Sequence, residues 1–297
     1  MFQYYALFLA ACLGGSLNSV WLYKKYQQSA GTELSSDVVY LVINGVVSAL
    51  VSAGVIVFTG RKLEFTWFSL AIAAAIVISS AVNVIGTLKA YEKGQIATVN
   101  IVNTVGTIIL SCLWGVTVLG ETLTASRTVA IALMLAATFL ITFTGDKKSS
   151  KGMILIYVLV VIGGSLVSIL NKQHQVETNF ATVDTLSFSF LAASVRTVIF
   201  GIAAVVMRLK KGKGALKIPG RSALFASASS FVSGSCYILT LFTAIYLPIV
   251  VTSPLSTGLS IIVSALFPWI FYREKLNVRQ IAGVALSIAG ALWFLLF

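Results

Sequence analysis

Ten apolar runs, each close to the length that crosses a bilayer, take up most of this chain. They are Phe2–Tyr23, Val38–Thr59, Trp67–Ala90, Gln95–Leu119, Thr124–Phe143, Met153–Leu170, Ala181–Met207, Leu224–Tyr246, Pro248–Phe271 and Leu276–Leu296. A helix needs about 20 such residues to cover the hydrocarbon core. Of the 297 residues, 58% are hydrophobic and 10% charged, against about 25% charged in a soluble domain. Too little polar surface is left to face water. The fold class expected is therefore all-α integral membrane, with ten transmembrane helices. The third and fourth runs, and the eighth and ninth, are joined so briefly that each pair must form a tight hairpin.

The formal net charge is +12. The basic residues sit between apolar runs and form no stacking platform with aromatics, so the expected partner is membrane lipid and not nucleic acid. Sixteen of them lie in the odd-to-even connections, from Lys24 and Lys25 through the cluster Lys210, Lys211, Lys213 and Lys217 to Arg273, Lys275 and Arg279. Only Arg61, Lys62, Arg127 and Lys172 fall on the other side. Basic residues stay on the cytoplasmic face, which predicts a cytoplasmic-membrane protein with both termini outside. Residues 1–11 carry no basic stretch and no cleavage signal, so they read as a first membrane helix. Asp146–Lys151 is the natural linker between two five-helix halves, 1–146 and 151–297. Five is odd, so the second half must enter the membrane upside down.

The two halves also repeat. With Glu121 set on Glu274, the polar residues Asn100, Asn103, Thr104, Thr107 and Ser111 fall on Ser253, Ser256, Thr257, Ser260 and Ser264. Their spacing keeps them on one helical face. The flanking charges do not match: Arg273, Lys275 and Arg279 stand opposite Gly120, Thr122 and Ser126. At the front of each half, Gly14-Gly15-Ser16-Leu17 matches Gly163-Gly164-Ser165-Leu166. Duplicated copies of opposite orientation should show this pattern, and inverted repeats with a polar seam at mid-membrane are built for alternating access.

The chain resembles the drug/metabolite transporter superfamily, and within it the EamA-type ten-helix transporters. The resemblance rests on Gly120-Glu121-Thr122-Leu123 before Ala130 and Ala137, and on Arg273-Glu274-Lys275-Leu276 before Gly283 and Gly290. The first copy departs from the pattern by carrying alanines where the second has glycines. The resemblance implies a central cavity lined by helices 1, 3, 4, 6, 8 and 9. It further implies gating by helices 2 and 7, with 5 and 10 at the periphery. It does not select a solute.

The candidate solute-binding residues are Asn18, Asn83, Asn100, Asn103, Thr107, Arg196, Tyr237, Ser256 and Ser260. Thr107 and Ser260 lie near the middle of their spans. Asn83 and Tyr237 correspond under the repeat. The alternative role for these hydroxyls and amides is interhelical hydrogen bonding, at about 0.6 kcal/mol each. Arg196 is deep in a span, where a charge costs at least about 2.5 kcal/mol. It reads either as an anchor for a carboxylate or phosphate, or as a structural arginine on backbone carbonyls. Helix 2 offers Asn44, Ser48 and Ser52 on one face. No carboxylate sits at mid-membrane, which argues against proton-for-cation exchange. Asp37 and Asp184 read as helix caps, and His174 as a solvated loop residue. Pro248 and Pro254 predict a kink or unwound turn in helix 9 that frees carbonyls for a ligand. Gly283, Ser287 and Ala291 form a small-residue stripe, either a homodimer face through helices 5 and 10 or tight internal packing.

Cys12, Cys112 and Cys236 lie in apolar segments, with no disulfide, metal or cofactor expected. No zinc motif, buried carboxylate pair or Ser-His arrangement within a span points to an enzyme. The expected activity is secondary transport of a small organic metabolite, favouring an amino acid or another carboxylate- or phosphate-bearing solute. The alternatives are export of neutral or aromatic solutes, a lipid scramblase, or a scaffold.

Overall fold

The computed structural model describes residues 2–31, 33–92, 96–142, 151–212, 216, 218–272 and 277–296. Among these the chain is all helical: α1 (Phe2–Ala30, with a π-helical turn at Ser19–Tyr23), α2 (Leu34–Phe58), α3 (Trp67–Glu92), α4 (Ile96–Thr117), α5 (Ala125–Thr142), α6 (Lys151–Val176), α7 (Thr185–Lys211), α8 (Gly220–Tyr246), α9 (Ile249–Tyr272) and α10 (Val278–Leu296). Eight of them are long and apolar enough to cross a membrane, while α5 and α10 carry shorter apolar stretches. Polar and apolar faces are inverted relative to a soluble protein. Ser52 and Ser189 are buried, while Leu50, Val57, Val198 and Val205 are exposed. A helix with that arrangement needs hydrocarbon around it. The protein is a multi-pass membrane protein. The linker 146–150 and the motif around Glu274 lie outside the described residues.

Local chemistry sets the helix ends. Asp184 Oδ1 accepts from Ser187 N at 3.0 Å and caps α7, as the sequence implies. Burial pushes its carboxyl up, but hydrogen bonds from Ser187, Arg61 and the Leu186 amide outweigh that and hold it below the ordinary carboxylate range. Asn277 and Gln280 exchange side-chain and backbone bonds at 2.8 and 2.9 Å, a capping box that opens α10. Gly31, at φ +86°, ends α1. The sequence predicts that end at Tyr23, but Lys24 and Lys25 continue the helix.

Contacts group the chain into two compact units, each drawing on both sequence halves. One comprises Met1–Leu9, Ile78–Gln173 and Ala244–Phe297, the other Ala10–Val77 and His174–Thr243. In the second, α2 and α7 lie antiparallel. Asn44 meets Arg196 near one end of the contact, and Ser52 meets Ser189 two turns away, at 2.9 Å. In the first, α5 and α10 are likewise antiparallel, with Trp293 donating to Ser126 and Gly290 packed on Ala130 and Met134. Gly283, Ser287 and Ala291 are buried inside this unit.

Close approach of α2 and α7 depends on Gly45. A Cβ there would stand 2.8 Å from Thr197 N and 3.0 Å from Thr197 Cα. Backbone cannot rotate aside, so Gly45→Ala must separate the helices. It is expected to cost about 1–3 kcal/mol in thermal unfolding. Gly54, on the same helix, has open space around its Cα. Gly54→Ala is the control and should be neutral or slightly stabilising. Equal melting of the two variants would remove the packing argument.

Three positions depart from the sequence expectation. His174 is not a solvated loop residue. It lies in α6, 2% exposed, stacked on Phe188 at 3.6 Å between ring centres and bonded to Ser69. Asp37 is not the cap of α2, because the helix starts at Leu34 and Asp37 lies in its first turn, where it accepts from the Tyr23 hydroxyl at 3.1 Å. Helix α9 is not unwound at its prolines. Pro248 and Pro254 each lack the N–H that would bond the carbonyl four residues back. Both freed carbonyls are taken up by protein: Ala244 O accepts from Lys172 Nζ at 2.7 Å, and Val250 O accepts from Cys112 Sγ at 3.8 Å.

Candidate functional site

Helix periodicity builds the first polar cluster. On α2, Asp37, Tyr40, Asn44, Ser48 and Ser52 recur at three- and four-residue steps and share a face. On α8, Ser229, Ser233 and Tyr237 do the same at four-residue steps. Tyr40 and Ser229 share a hydrogen bond of 2.9 Å. Asn18 donates from Nδ2 to Ser233 Oγ at 2.9 Å, and its Oδ1 is buried without a partner. Gly234 lets α8 approach Ser48, with 3.0 Å between a placed Cβ and Ser48 Oγ.

Arg196, on α7, completes this cluster. Its Nη1 donates to Asn44 Oδ1 at 2.7 Å. Tyr40 and Tyr237 lie close enough to act on the guanidinium electrostatically. A guanidinium has five donors, and here one is spent on a neutral amide. Among the described residues Arg196 makes no ion pair. An embedded cation without a counterion is costly, and an anionic group on the remaining donors offsets that cost with strong, directional bonds. Among the described residues Arg196 makes no bond to a backbone carbonyl. Of the nine predicted residues, Asn18, Arg196 and Tyr237 fall in this unit.

The other six lie in the first unit, the one that holds α5 and α10. Asn83 Nδ2 donates to Asn103 Oδ1 at 3.0 Å and to Val160 O at 2.7 Å. A Cβ at Gly164 would meet Asn83, Asn103 and Thr107, each at 2.9 Å. Here the Gly-Gly of α6 admits the amides of α3 and α4 against its backbone. Ser256 donates to the carbonyl of Ser253 in its own helix at 2.9 Å. Asn100 and Ser260 are each engaged as well. The matched seam of α4 and α9 therefore divides: Asn103 of α4 accepts across from Asn83 of α3, while Ser256 and Thr257 bond back to Ser253.

Two networks escaped the sequence reading. Glu121 grips the start of α9, with Oε1 accepting from Ile249 N at 2.8 Å and Oε2 from Val250 N at 3.0 Å. Lys172 Nζ stands 3.8 Å from Glu121 Oε1 and donates to Ala244 O and to Leu247 O. The signal was a lysine in an apolar run two residues before a histidine. The second network joins a serine of α3 to the histidine of α6. Ser69 Oγ lies 2.8 Å from His174 Nε2. That oxygen also accepts from Thr66 Oγ1 and from Val183 N. Both residues are buried. The pair is arranged to pin the chain before α7. Among the described residues, no three His, Cys, Asp or Glu side chains converge as metal ligands.

No family model matches the chain. A protein of Sinorhizobium sp. named "Uncharacterized transporter in cobO 3'region" is 33% identical over 125 residues, covering 41% of this chain and 80% of that protein. A solved chain described as "Crystal structure of protein" superposes with a TM-score of 0.77 over 99% of this chain and 98% of its own, at 14% identity. At that identity the likeness speaks to the fold alone.

Proposed function

We propose a secondary carrier of a small organic solute, from the premise that this chain belongs to the same family as the Sinorhizobium transporter. The reading places it among the EamA-type drug/metabolite transporters, in the cytoplasmic membrane with both termini outside. Ten spans form two inverted five-helix repeats that work by alternating access. Antiparallel packing of α2 on α7 and of α5 on α10, which are counterparts under the repeat, supports the inversion. No cofactor is required. A homodimer through α5 and α10 would use their outer side chains Phe139, Ile288 and Leu292, since the small-residue stripe is already packed inside.

One observation carries the choice of solute: the guanidinium of Arg196 is held at mid-span by Asn44 with no counterion among the described residues. It favours an amino acid or another solute bearing a carboxylate or phosphate. The anion would accept from the remaining donors, and the Tyr40 and Tyr237 rings would flank the rest of the molecule. Those rings also favour a second reading, a neutral or aromatic solute moved without charge recognition. Reconstituted protein should take up radiolabelled amino acids saturably, with anionic ones preferred. Pyruvate and inorganic phosphate serve as parallel probes. Saturable flux of neutral probes alone would select the second reading. Absence of flux for every probe would leave the scramblase or scaffold.

A further inference from the structure

We propose that Asp37 is a proton-binding site coupled to the solute site at Arg196, an inference that rests on the carrier reading above. The carboxyl lies in the first turn of α2 and is 8% exposed. Its partner is the Tyr23 hydroxyl, which donates to Oδ1 at 3.1 Å, and it makes no ion pair among the described residues. Tyr23 and Tyr26 face it from α1 and Tyr40 from α2, with ring centres 4.6 to 6.2 Å apart. Their own hydroxyls are committed: Tyr26 donates to Ser36 O at 2.6 Å, and Tyr40 bonds Ser229. Glu33, one turn earlier, accepts from Ser35. Lys25 on α1 stands over the Trp21 and Phe225 rings. The π-helical turn Ser19–Tyr23 ends on Tyr23 itself. Such turns insert one residue into a helix, re-aim those that follow, and recur at functional sites.

A carboxylate shut away with one neutral donor and no cation costs far more than the neutral acid. When the surroundings admit water the group ionises, and when they close it takes a proton from that side. A carrier that alternates between faces exposes it to each in turn. The proton adds to the carboxylate oxygen from water on one face and leaves to water on the other. Coupling to solute follows from the shared face of α2. Asp37 and Asn44 are seven residues apart, two turns or roughly 10 Å, with Tyr40 between them. An ionised Asp37 at that distance repels an anion on Arg196, and protonation removes the repulsion. Proton and anion should therefore favour each other's binding, about tenfold each way.

The test uses full-length protein in vesicles with radiolabelled amino acids as the probe. An inward proton gradient should drive accumulation, and the ratio of gradient-driven uptake to counterflow should fall about tenfold in Asp37→Asn. Tyr23→Phe removes a donor to the carboxylate and keeps the ring. Its half-maximal flux should move to higher pH by about one unit, with the melting temperature recording its fold. Wild-type accumulation indifferent to the gradient overturns the proposal, as does an unshifted profile in a folded Tyr23→Phe protein. Absence of wild-type flux would instead defeat the carrier reading. The infrared spectrum then decides Asp37 separately: a protonated-carboxyl band that titrates and vanishes in Asp37→Asn upholds the site, and an unchanged spectrum overturns it.

Discussion

Arg196→Ala should raise the half-saturation constant for an anionic solute by about 10- to 150-fold. That span corresponds to the roughly 1.5–3 kcal/mol of a hydrogen bond to a charged group. The expectation is large because so little else satisfies the guanidinium, whose bond of 2.7 Å goes to the neutral Asn44 amide. Removing the cation leaves no buried carboxylate behind, so the variant should fold. Arg196→Lys keeps the charge and loses the planar fork, and should fall between the two proteins. Asn44→Ala frees the guanidinium to move and should weaken binding less than Arg196→Ala. Competition between anionic and neutral amino acids in reconstituted vesicles separates charge recognition from general damage. An unchanged half-saturation constant for the anionic solute in Arg196→Ala would sink the anchor.

The sequence made the membrane helices legible because the bilayer imposes a length and a composition on each span. Their ends were less legible where polar residues stay helical inside the protein. Lys24 and Lys25 extend α1, Ser35, Ser36 and Asp37 begin α2, and Lys172 and His174 extend α6. A hydropathy argument ends a helix at such residues, whereas tertiary partners keep them in it. The site was half legible. Arg196 stood out as a charge in an apolar run, and the α2 stripe was visible by spacing, although the sequence did not say that the two would meet. The seam on α4 and α9 was a pattern of residue types, and pattern cannot separate a hydroxyl turned toward a neighbour from one bonded to its own helix, as Ser256 is. The Gly-Gly pair of α6 appeared as a repeat signature. Its physical use, admitting Asn83, Asn103 and Thr107 against a backbone, depends on which helices pack together, and spacing within one helix does not carry that.

The largest effect on stability is expected at Glu121 and Lys172. Both side chains are about nine-tenths buried. Their separation of 3.8 Å is long for an ion pair, and each has shorter bonds elsewhere: the carboxylate to two amides of α9, the ammonium to two carbonyls at the end of α8. Those groups are orphans for local reasons. The first amides of α9 have no partner within their own helix, and Pro248 cannot serve Ala244 O. Two opposite charges therefore satisfy opposite backbone needs on the two sides of one turn. Glu121→Ala strands two amides and an unpaired ammonium, and should cost about 3–5 kcal/mol in unfolding. Lys172→Met strands two carbonyls and the carboxylate, with a loss of similar size. In the double variant Glu121→Gln/Lys172→Met neither charge of this pair remains, so it should be less damaged than the sum of its two single changes. Thermal and denaturant melts in detergent measure all of them. If Lys172→Met melts with wild-type protein, the ammonium does not hold the α8–α9 turn.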